Sequence, residues 1–434
     1  METTASPSSL PVLRNRTFLI VWVGQSISGL GNNLFGMALL WWVVKETGSG
    51  AAMSVTALAT ALPRIVLGPM TGVLVDRYDR RVLMALADFT AGLVTLGAAL
   101  LYWRGVFSFA LIITAAAILS AIAAFHEPSF QASVPVMVGA NQLVRANSLM
   151  QSAQSAIGIL APALAGIIIG ATGVGMAVFL DAISFFVASF SLFTVNFPSP
   201  RGADRQRMSV WREAGTGFAF IFKHRLLFPM LIFNAMINLA VSPANALIAL
   251  LVTQVLHAGP QFFGVLGSAQ SAGILGGSLL LASFPRLVTR AGLSVILFTV
   301  AIGLAVAAFG LIPTPIAYVI AIAAAGFLMI MIGVAGQSIW QTEVPDQVRG
   351  RVFAARMAMG SGLMPLGLAL AGPLSDWLGL LPVFTWAGLS CAAVGLAGFG
   401  IPGLASYVPK QWGRGAGAAA AVAKQAARVE RSGQ

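Results

Sequence analysis

Long runs of apolar residues alternate with short polar segments along almost the whole chain. A transmembrane helix needs about 20 mostly apolar residues, and twelve runs come close to or exceed that length. They lie approximately at Thr17–Val44, Ala51–Val75, Val82–Tyr102, Phe107–Phe125, Leu149–Ala171, Val174–Asn196, Leu226–Leu256, Phe262–Phe284, Leu293–Leu311, Ile316–Trp340, Val352–Trp377 and Leu380–Ile401. Because backbone groups cannot stay unpaired in lipid, each run predicts a helix. The pattern therefore predicts an all-α membrane protein with twelve transmembrane helices.

The longest polar stretch, Pro198–Arg225, separates six predicted spans from the other six. The predicted organisation is an N-terminal bundle (1–197), a linker (198–225), a C-terminal bundle (226–408) and a basic tail (409–434). A weak internal repeat supports this division, since Val134-Pro135 after the fourth span is echoed by Val344-Pro345 after the tenth. Within the linker, Trp211–Lys223 predicts an amphipathic helix on the membrane surface.

Composition supports a membrane protein independently of the pattern. Hydrophobic residues make up 58% of the chain and charged residues only 9%, too few for a soluble surface. The single cysteine, Cys391, lies within a predicted span, so we expect no disulfide framework and no cysteine metal site. The leading segment Met1–Leu13 lacks the basic start and short apolar core of a signal peptide, and we interpret it as a short cytoplasmic lead.

Basic residues fall almost entirely on one side of the predicted topology. Twenty-two of the 25 lysines and arginines lie in alternate loops and the termini; the opposite loops hold only Lys45 and Arg104, and Arg64 lies inside a span. By the positive-inside rule the basic side is cytoplasmic, with both termini there. The net charge of +12 therefore reflects topology and contact with anionic lipid headgroups, and we expect no nucleic-acid partner.

The polar turn after the second span carries the most specific motif. It reads Gly72-Val-Leu-Val-Asp76-Arg77-Tyr-Asp-Arg80-Arg81 and resembles the signature loop of the major facilitator superfamily. Further segments are similar to the third drug:proton antiporter branch of that superfamily, which includes macrolide-efflux and enterobactin-exporter-like proteins. They are Glu127-Pro128, Asp181–Phe185, and the loop from Val344-Pro345 to Arg349-Gly-Arg351.

The chain departs from that branch at two places. Members often carry Gly-Asp in the first span where this chain has Gly31-Asn32, and the antiporter signature of the fifth span is reduced to Gly158, Pro162 and Gly166. The resemblance implies two pseudo-symmetric six-helix bundles and a gating loop formed by Gly72, Asp76, Arg77, Arg80 and Arg81. A carboxylate is stabilised at the positive end of a helix, so Asp76 is expected to hold the start of the eleventh span. The alternative is a turn that only sets topology.

Ionisable side chains inside the spans are costly and therefore indicate function. Glu127 is the first proton-coupling candidate, followed by Asp181, for which we favour structural hydrogen bonding. Arg64 is either a counter-charge for an anionic substrate or a partner of Glu127 or Asp88. Asp88 and Glu343 lie near the basic ends of their spans, where we predict an interfacial role.

Amide side chains indicate where the substrate cavity lies, because they avoid hydrocarbon. In the seventh span Asn234, Asn238, Ser242 and Asn245 recur on one helical face, and the first span carries Gln25, Asn32 and Asn33. We favour cavity lining for these residues, and hydrogen bonding between helices is the alternative.

The sequence offers no sign of enzyme chemistry. It has neither a phosphate-binding Walker loop nor a dinucleotide-binding glycine motif, and its three histidines lack metal-ligand spacing. We expect no cofactor and no metal.

The favoured function is export of amphipathic small molecules by alternating access with proton antiport. The alternatives are a dedicated metabolite, siderophore or lipid exporter or facilitator without proton coupling, and a receptor or scaffold on the same fold. The expected partners are a small-molecule substrate, protons and lipids, for a monomer in the bacterial inner membrane.

Overall fold

A computed structural model describes residues 12–196, 210–345, 348–360 and 362–409. These residues form α1 (Arg16–Thr47), α2 (Gly50–Arg77), α3 (Arg80–Trp103), α4 (Phe109–Val138), α5 (Leu143–Thr172), α6 (Val174–Thr194), α7 (Val210–Lys223), α8 (Leu227–Gln254), α9 (Pro260–Ser283), α10 (Ala291–Leu311), α11 (Pro315–Glu343), α12 (Arg349–Gly360), α13 (Met364–Leu378) and α14 (Leu380–Ala397). Eleven helices in the described ranges are long and apolar enough to cross a membrane. The prediction of an all-α, multi-pass membrane protein is confirmed.

The eleventh predicted span, Val352–Trp377, is not one helix. It consists of α12 and α13, which are separated between Gly360 and Met364. Glycines have low helix propensity, and Pro365 lacks an N–H group and disfavours helical geometry in the residue before it. The cluster of Gly360, Gly362 and Pro365 therefore explains why this span is interrupted, which hydropathy alone does not reveal.

The short connections follow from local capping. Gly48 ends α1 in the left-handed conformation with φ 55°, which glycine adopts without strain. The carboxylate of Asp79 accepts hydrogen bonds from the backbone N–H groups of Arg81 and Val82 at the start of α3. Ser108 caps α4 in the same way. These caps let neighbouring helices turn back on each other within a few residues.

The helices pack as two groups. In the first group α1 packs on α5 and α6, α3 on α4 and α6, and α2 on α4. In the second group α10 packs on α11 and α14, α9 on α11, and α8 on α13 and α14. The amphipathic helix predicted at Trp211–Lys223 is observed as α7, which packs on α12 of the second group.

Among the described residues, the two groups share a buried apolar cluster at one end of the molecule. We call the end where α1 begins the basic end and the end where α1 finishes the far end. One apolar cluster at the far end combines both groups, with Leu39 and Trp42 beside Leu250, Phe263 and Phe384. At the basic end the apolar residues form two separate clusters, one from each group. The described residues therefore form a molecule closed at the far end and divided at the basic end.

Two pairs of helices form the far-end closure. Between α5 and α9, Ser268 Oγ donates to the carbonyl of Ile159 over 2.7 Å, and Gly264 lies so close to Pro162 that any side chain at 264 would clash with its carbonyl. Between α2 and α13, the N–H of Gly372 donates to Ser54 Oγ over 2.6 Å. Small residues thus allow the two groups to touch backbone to backbone.

Candidate functional site

Five polar side chains from four helices come together inside the first group. They are Gln25 on α1, Arg64 on α2, Asp88 on α3, and His126 and Glu127 on α4. We call these five residues the charged cluster. At a rise of 1.5 Å per residue, they lie about 12–20 Å from the ends of their helices at the basic end. The charged cluster therefore lies within the span of the helices and not at their surface ends.

Asp88 is the buried centre of the charged cluster, with only 1% of its surface exposed. Its Oδ2 accepts a hydrogen bond from Gln25 Nε2 over 2.9 Å. Its Oδ1 lies 3.1 Å from His126 Nε2, within ion-pair distance, although the ring N–H does not meet hydrogen-bond geometry. The predicted interfacial role of Asp88 is wrong, because partners on α1 and α4 hold this carboxylate inside the bundle.

Arg64 and Glu127 form the exposed side of the charged cluster. Arg64 Nη1 lies 3.7 Å from Glu127 Oε2, and the two side chains are 56% and 58% exposed. Of the partners considered for Arg64, the structure places Glu127 next to it. An exposed ion pair is worth only roughly 0–1 kcal/mol, so either group can exchange its partner for a ligand or a proton.

Two of the predicted cavity amides on α8 bind the break between α12 and α13. Asn234 Nδ2 and Asn238 Nδ2 lie 3.4 and 3.2 Å from the carbonyl oxygen of Gly360, to which both donate. This carbonyl belongs to the last turn of α12, where no further helical N–H is available. For Asn234 and Asn238 the geometry supports the alternative of hydrogen bonding between helices, at the point where the eleventh span is interrupted.

The other amides keep exposed side chains. Asn32, Asn33 and Asn245 are all exposed, and Asn33 Nδ2 donates to the carbonyl of Gly29 on its own helix over 2.8 Å. They are separate from the charged cluster and stay candidates for lining a cavity between the two groups.

Asp181 lies apart from the charged cluster, in the contact between α6 and α1. It is fully buried, and Ser184 Oγ lies 3.4 Å from its Oδ1. A Cβ atom at Gly31 of α1 would lie 2.7 Å from the same oxygen, so the carboxyl is enclosed by helix packing. This position supports a structural role for Asp181.

The predicted gating loop is mostly helix. The backbone of α2 continues through Arg77, so only Tyr78 and Asp79 connect α2 to α3. Arg80 Nη1 donates to the carbonyl of Ala132 over 2.9 Å, and Arg81 Nη1 donates to that of Val195 over 2.7 Å. The side chains of Gly72, Asp76 and Arg77 lie outside the described residues. Arg80 and Arg81 thus connect the start of α3 to the basic ends of α4 and α6.

A second polar contact at the basic end involves Glu343, the last residue of α11. Tyr407 Oη donates to Glu343 Oε1 over 2.6 Å, and His224 Nε2 lies 3.4 Å from Glu343 Oε2. Burial and the neighbouring Glu343 carboxylate raise the pKa of the Tyr407 hydroxyl, which therefore stays protonated and donates. This contact attaches the end of the linker to the second group and agrees with the predicted interfacial role of Glu343.

Sequence reasoning missed His126 and Asp88 as members of a site. From the sequence, His126 was counted among three histidines that lack metal-ligand spacing. One sequence cannot show that α3 and α4 face each other at these positions. The available signal was limited to Gln25 and Asp88, which are polar residues eight and six positions inside the predicted first and third spans, because the predicted fourth span ended at Phe125, one residue before His126. Among the described residues, no group of three or more His, Cys, Asp or Glu side chains could hold a metal ion.

A protein family and several efflux proteins are similar to this chain over most of its length. The family model described as transmembrane secretion effector, MFS_3, matches residues 7–416. Macrolide efflux protein A of Streptococcus pyogenes is 27% identical over 390 residues, which cover 87% of this chain and 94% of that protein. The multidrug efflux pump Tap of Mycobacterium tuberculosis is 26% identical over 404 residues, 90% of this chain and 94% of the pump.

Solved structures share the fold at lower sequence identity. The nucleoside transporter NupG superposes with a TM-score of 0.70 at 14% identity and covers 89% of this chain and 99% of its own. A bacterial homologue of the iron transporter ferroportin in an inward-facing state superposes with a TM-score of 0.68 at 16% identity, covering 88% and 98%.

Proposed function

The chain belongs to the transmembrane secretion effector family of the major facilitator superfamily, and we propose that it exports amphipathic small molecules by alternating access with proton antiport. The family makes it a membrane efflux transporter and not an enzyme. The efflux of macrolides by one relative and of multiple drugs by another supports the proposed substrate class. The matched region covers 94% of the length of both proteins.

The observation that carries the proposal is the one-ended closure of the molecule. The two helix groups touch at the far end, through α5 with α9 and α2 with α13, and form separate apolar clusters at the basic end. Under the positive-inside rule the basic end faces the cytoplasm, so this arrangement corresponds to an inward-open state. Export requires a second state in which the far end opens and the basic end closes.

Proton coupling is proposed from the charged cluster. Glu127 is an ionisable group inside the span, faces Arg64 over 3.7 Å, and is more than half exposed. A carboxylate in this setting can exchange a proton with water that enters from the basic end. The proposal places a monomer in the bacterial inner membrane, with both termini in the cytoplasm and its basic residues against anionic lipids.

Transport by energised inverted membrane vesicles tests this function. We expect radiolabelled erythromycin to accumulate when the vesicle lumen is acidified, and we expect a protonophore to abolish the accumulation. Vesicles without the protein are the control. Uptake that persists with the protonophore but stops at the outside concentration would favour a facilitator, and accumulation that persists would favour another energy source. Transport of none of a panel of macrolides, dyes and siderophores would favour a receptor or scaffold.

Asp76 is proposed to latch the basic end in the outward-open state, by facing the positive start of α12 in the other group. Asp76→Asn removes a charge–helix-end interaction worth roughly 0.3–2 kcal/mol, so we expect slower transport with normal membrane insertion. Asp79→Asn is the matched control, because asparagine caps a helix about as well as aspartate. An unchanged rate together with an unchanged distribution of inward and outward states by cysteine cross-linking would contradict the latch.

A further inference from the structure

The charged cluster divides into an exposed pair and a buried pair. The side chains of Arg64 and Glu127 are 56% and 58% exposed, whereas those of His126 and Asp88 are 18% and 2% exposed. His126 and Glu127 are adjacent in α4, so two neighbouring residues of one helix join the exposed pair to the buried pair. Export with proton antiport, as proposed above, assigns a role to Glu127 but none to the buried pair.

The charged groups around the buried pair can be named helix by helix. From α1, Gln25 donates to Asp88 and is neutral. From α4, His126 and Glu127 are the only ionisable side chains in the whole helix, and from α2, Arg64 reaches Glu127. The ionisable side chain of α6 is Asp181, which lies against Gly31 of α1 towards the far end. Among the described side chains, the contacts that link Gln25, Asp88, His126, Glu127 and Arg64 thus include one arginine, one glutamate and one histidine around Asp88.

The charges of these groups sum to zero when the cluster takes up one proton. With Arg64 positive and with Asp88 and Glu127 negative, the cluster has a net charge of minus one while His126 is neutral. A net charge within the membrane interior is costly. A proton on His126 makes the cluster electrically neutral and puts an imidazolium beside Asp88 Oδ1 at 3.1 Å.

We propose that His126 and Asp88 together hold the transported proton, with Glu127 as its entrance from water. On uptake, one N–H bond forms on the imidazole ring with a proton taken from water through Glu127, and the carboxylate of Asp88 balances the new charge. On release the same N–H bond breaks and the proton returns to water. No other reactant is required.

Gln25 is proposed as the positioning residue that couples protonation of the buried pair to the arrangement of the helices. Its amide joins Asp88 on α3 to α1, and α1 also contacts α5, α6 and α8. The helix α8 belongs to the second helix group. A change in the strength of the hydrogen bond between Gln25 and Asp88 can therefore shift α1 and alter the contact between the two groups. This connects the proton site to the opening and closing of the molecule.

The experiment compares two transport modes of purified protein in liposomes, with radiolabelled erythromycin as the probe. Exchange of labelled for unlabelled erythromycin at equal pH requires binding and conformational change but no proton gradient. Uptake driven by a pH gradient requires both of these and the proton site. The variants are His126→Asn and Asp88→Asn, and the matched control is His257→Asn. His257 lies near the far end with φ 50°, a conformation that asparagine tolerates.

Relative to its own exchange rate, each of His126→Asn and Asp88→Asn should lose gradient stimulation by roughly tenfold or more, within the usual range of coupling between two binding equilibria. His257→Asn should behave like wild type, and Asp88→Glu, which keeps a carboxylate, should retain part of the stimulation. Gradient stimulation that survives in His126→Asn would overturn the assignment. A wild type that exchanges erythromycin but ignores the gradient would instead contradict the proposed antiport.

A second measurement starts from wild-type protein, so it does not depend on whether His126→Asn and Asp88→Asn fold. In weakly buffered detergent solution, wild type should release protons when erythromycin binds, and a pH indicator dye reports this release. Gln25→Ala leaves every ionisable group in place and should still release protons, but with weaker gradient-driven transport. Wild-type gradient stimulation in Gln25→Ala would contradict its positioning role, and absence of proton release from wild type would contradict proton storage at the site.

Discussion

Replacement of Gly264 by leucine should reduce transport to about a tenth or less of the wild-type rate while leaving the two helix groups folded. Gly264 of α9 lies against Pro162 of α5, where a Cβ atom would clash with the Pro162 carbonyl and lie 3.3 Å from the Cα of Gly166. Overpacking of such a contact costs about 1–3 kcal/mol, and each 1.4 kcal/mol changes a population about tenfold. The two helix groups would then stay apart at the far end, so the variant should accumulate in the outward-open state.

The matched control is Gly276→Leu on the same helix. A Cβ atom at Gly276 meets nothing within 4 Å, so this substitution has the same chemistry and helix propensity without the clash. We expect erythromycin uptake near the wild-type rate from Gly276→Leu and at most about a tenth of it from Gly264→Leu. Equal uptake rates in the two variants would show that the close contact between α5 and α9 at the far end is not needed in the transport cycle.

The second large effect is expected from Glu127→Gln. The amide keeps the shape of the side chain and removes its titration, so pH-driven uptake should be lost by roughly tenfold or more while substrate binding is retained. Gradient-driven uptake by reconstituted protein, measured beside equilibrium binding of erythromycin, separates these two outcomes. Full pH-driven uptake by Glu127→Gln would exclude Glu127 as a proton carrier.

Asp181→Asn is the matched comparison for Glu127→Gln. It also replaces a carboxyl group with an amide, but at a buried residue outside the charged cluster. It places an amide where Asp181 is enclosed by Gly31 and Ser184. An unpaired buried polar group costs about 1–3 kcal/mol, so we expect less folded protein and a lower melting temperature. Per folded molecule, its gradient stimulation should match wild type; a loss there would make Asp181 part of the coupling site.

The sequence predicted most of what depends on local pattern. Apolar runs of about 20 residues identified the long helices, because lipid requires every backbone group to be paired inside a helix. The amphipathic linker helix α7 and the family resemblance around Gly72–Arg81 were likewise recognised from short segments. The continuation of α2 through Arg77 was missed, since charged residues indicate water but do not by themselves end a helix.

What depends on packing between distant segments was not predictable in the same way. Asp88 looked interfacial from its position in the third span, yet Gln25 and His126, 63 and 38 residues away, make it the centre of a buried cluster. The interruption of the eleventh span and its contact with Asn234 and Asn238 also require the three-dimensional arrangement. A single sequence does not specify which faces of two helices meet.

The most direct test of the account measures distances at both ends of one helix pair, α5 and α9. Spin labels at Thr172 and Gln261 report the far end, and labels at Val144 and Phe284 report the basic end; all four side chains are exposed. Cys391→Ser removes the chain's single cysteine before labelling. Pulsed electron paramagnetic resonance should show a short far-end distance and a long basic-end distance for the resting protein. When the pH and erythromycin are changed, the far-end distance should lengthen as the basic-end distance shortens. Distances that stay fixed at both ends under all these conditions, or that change in the same direction, would contradict alternating access.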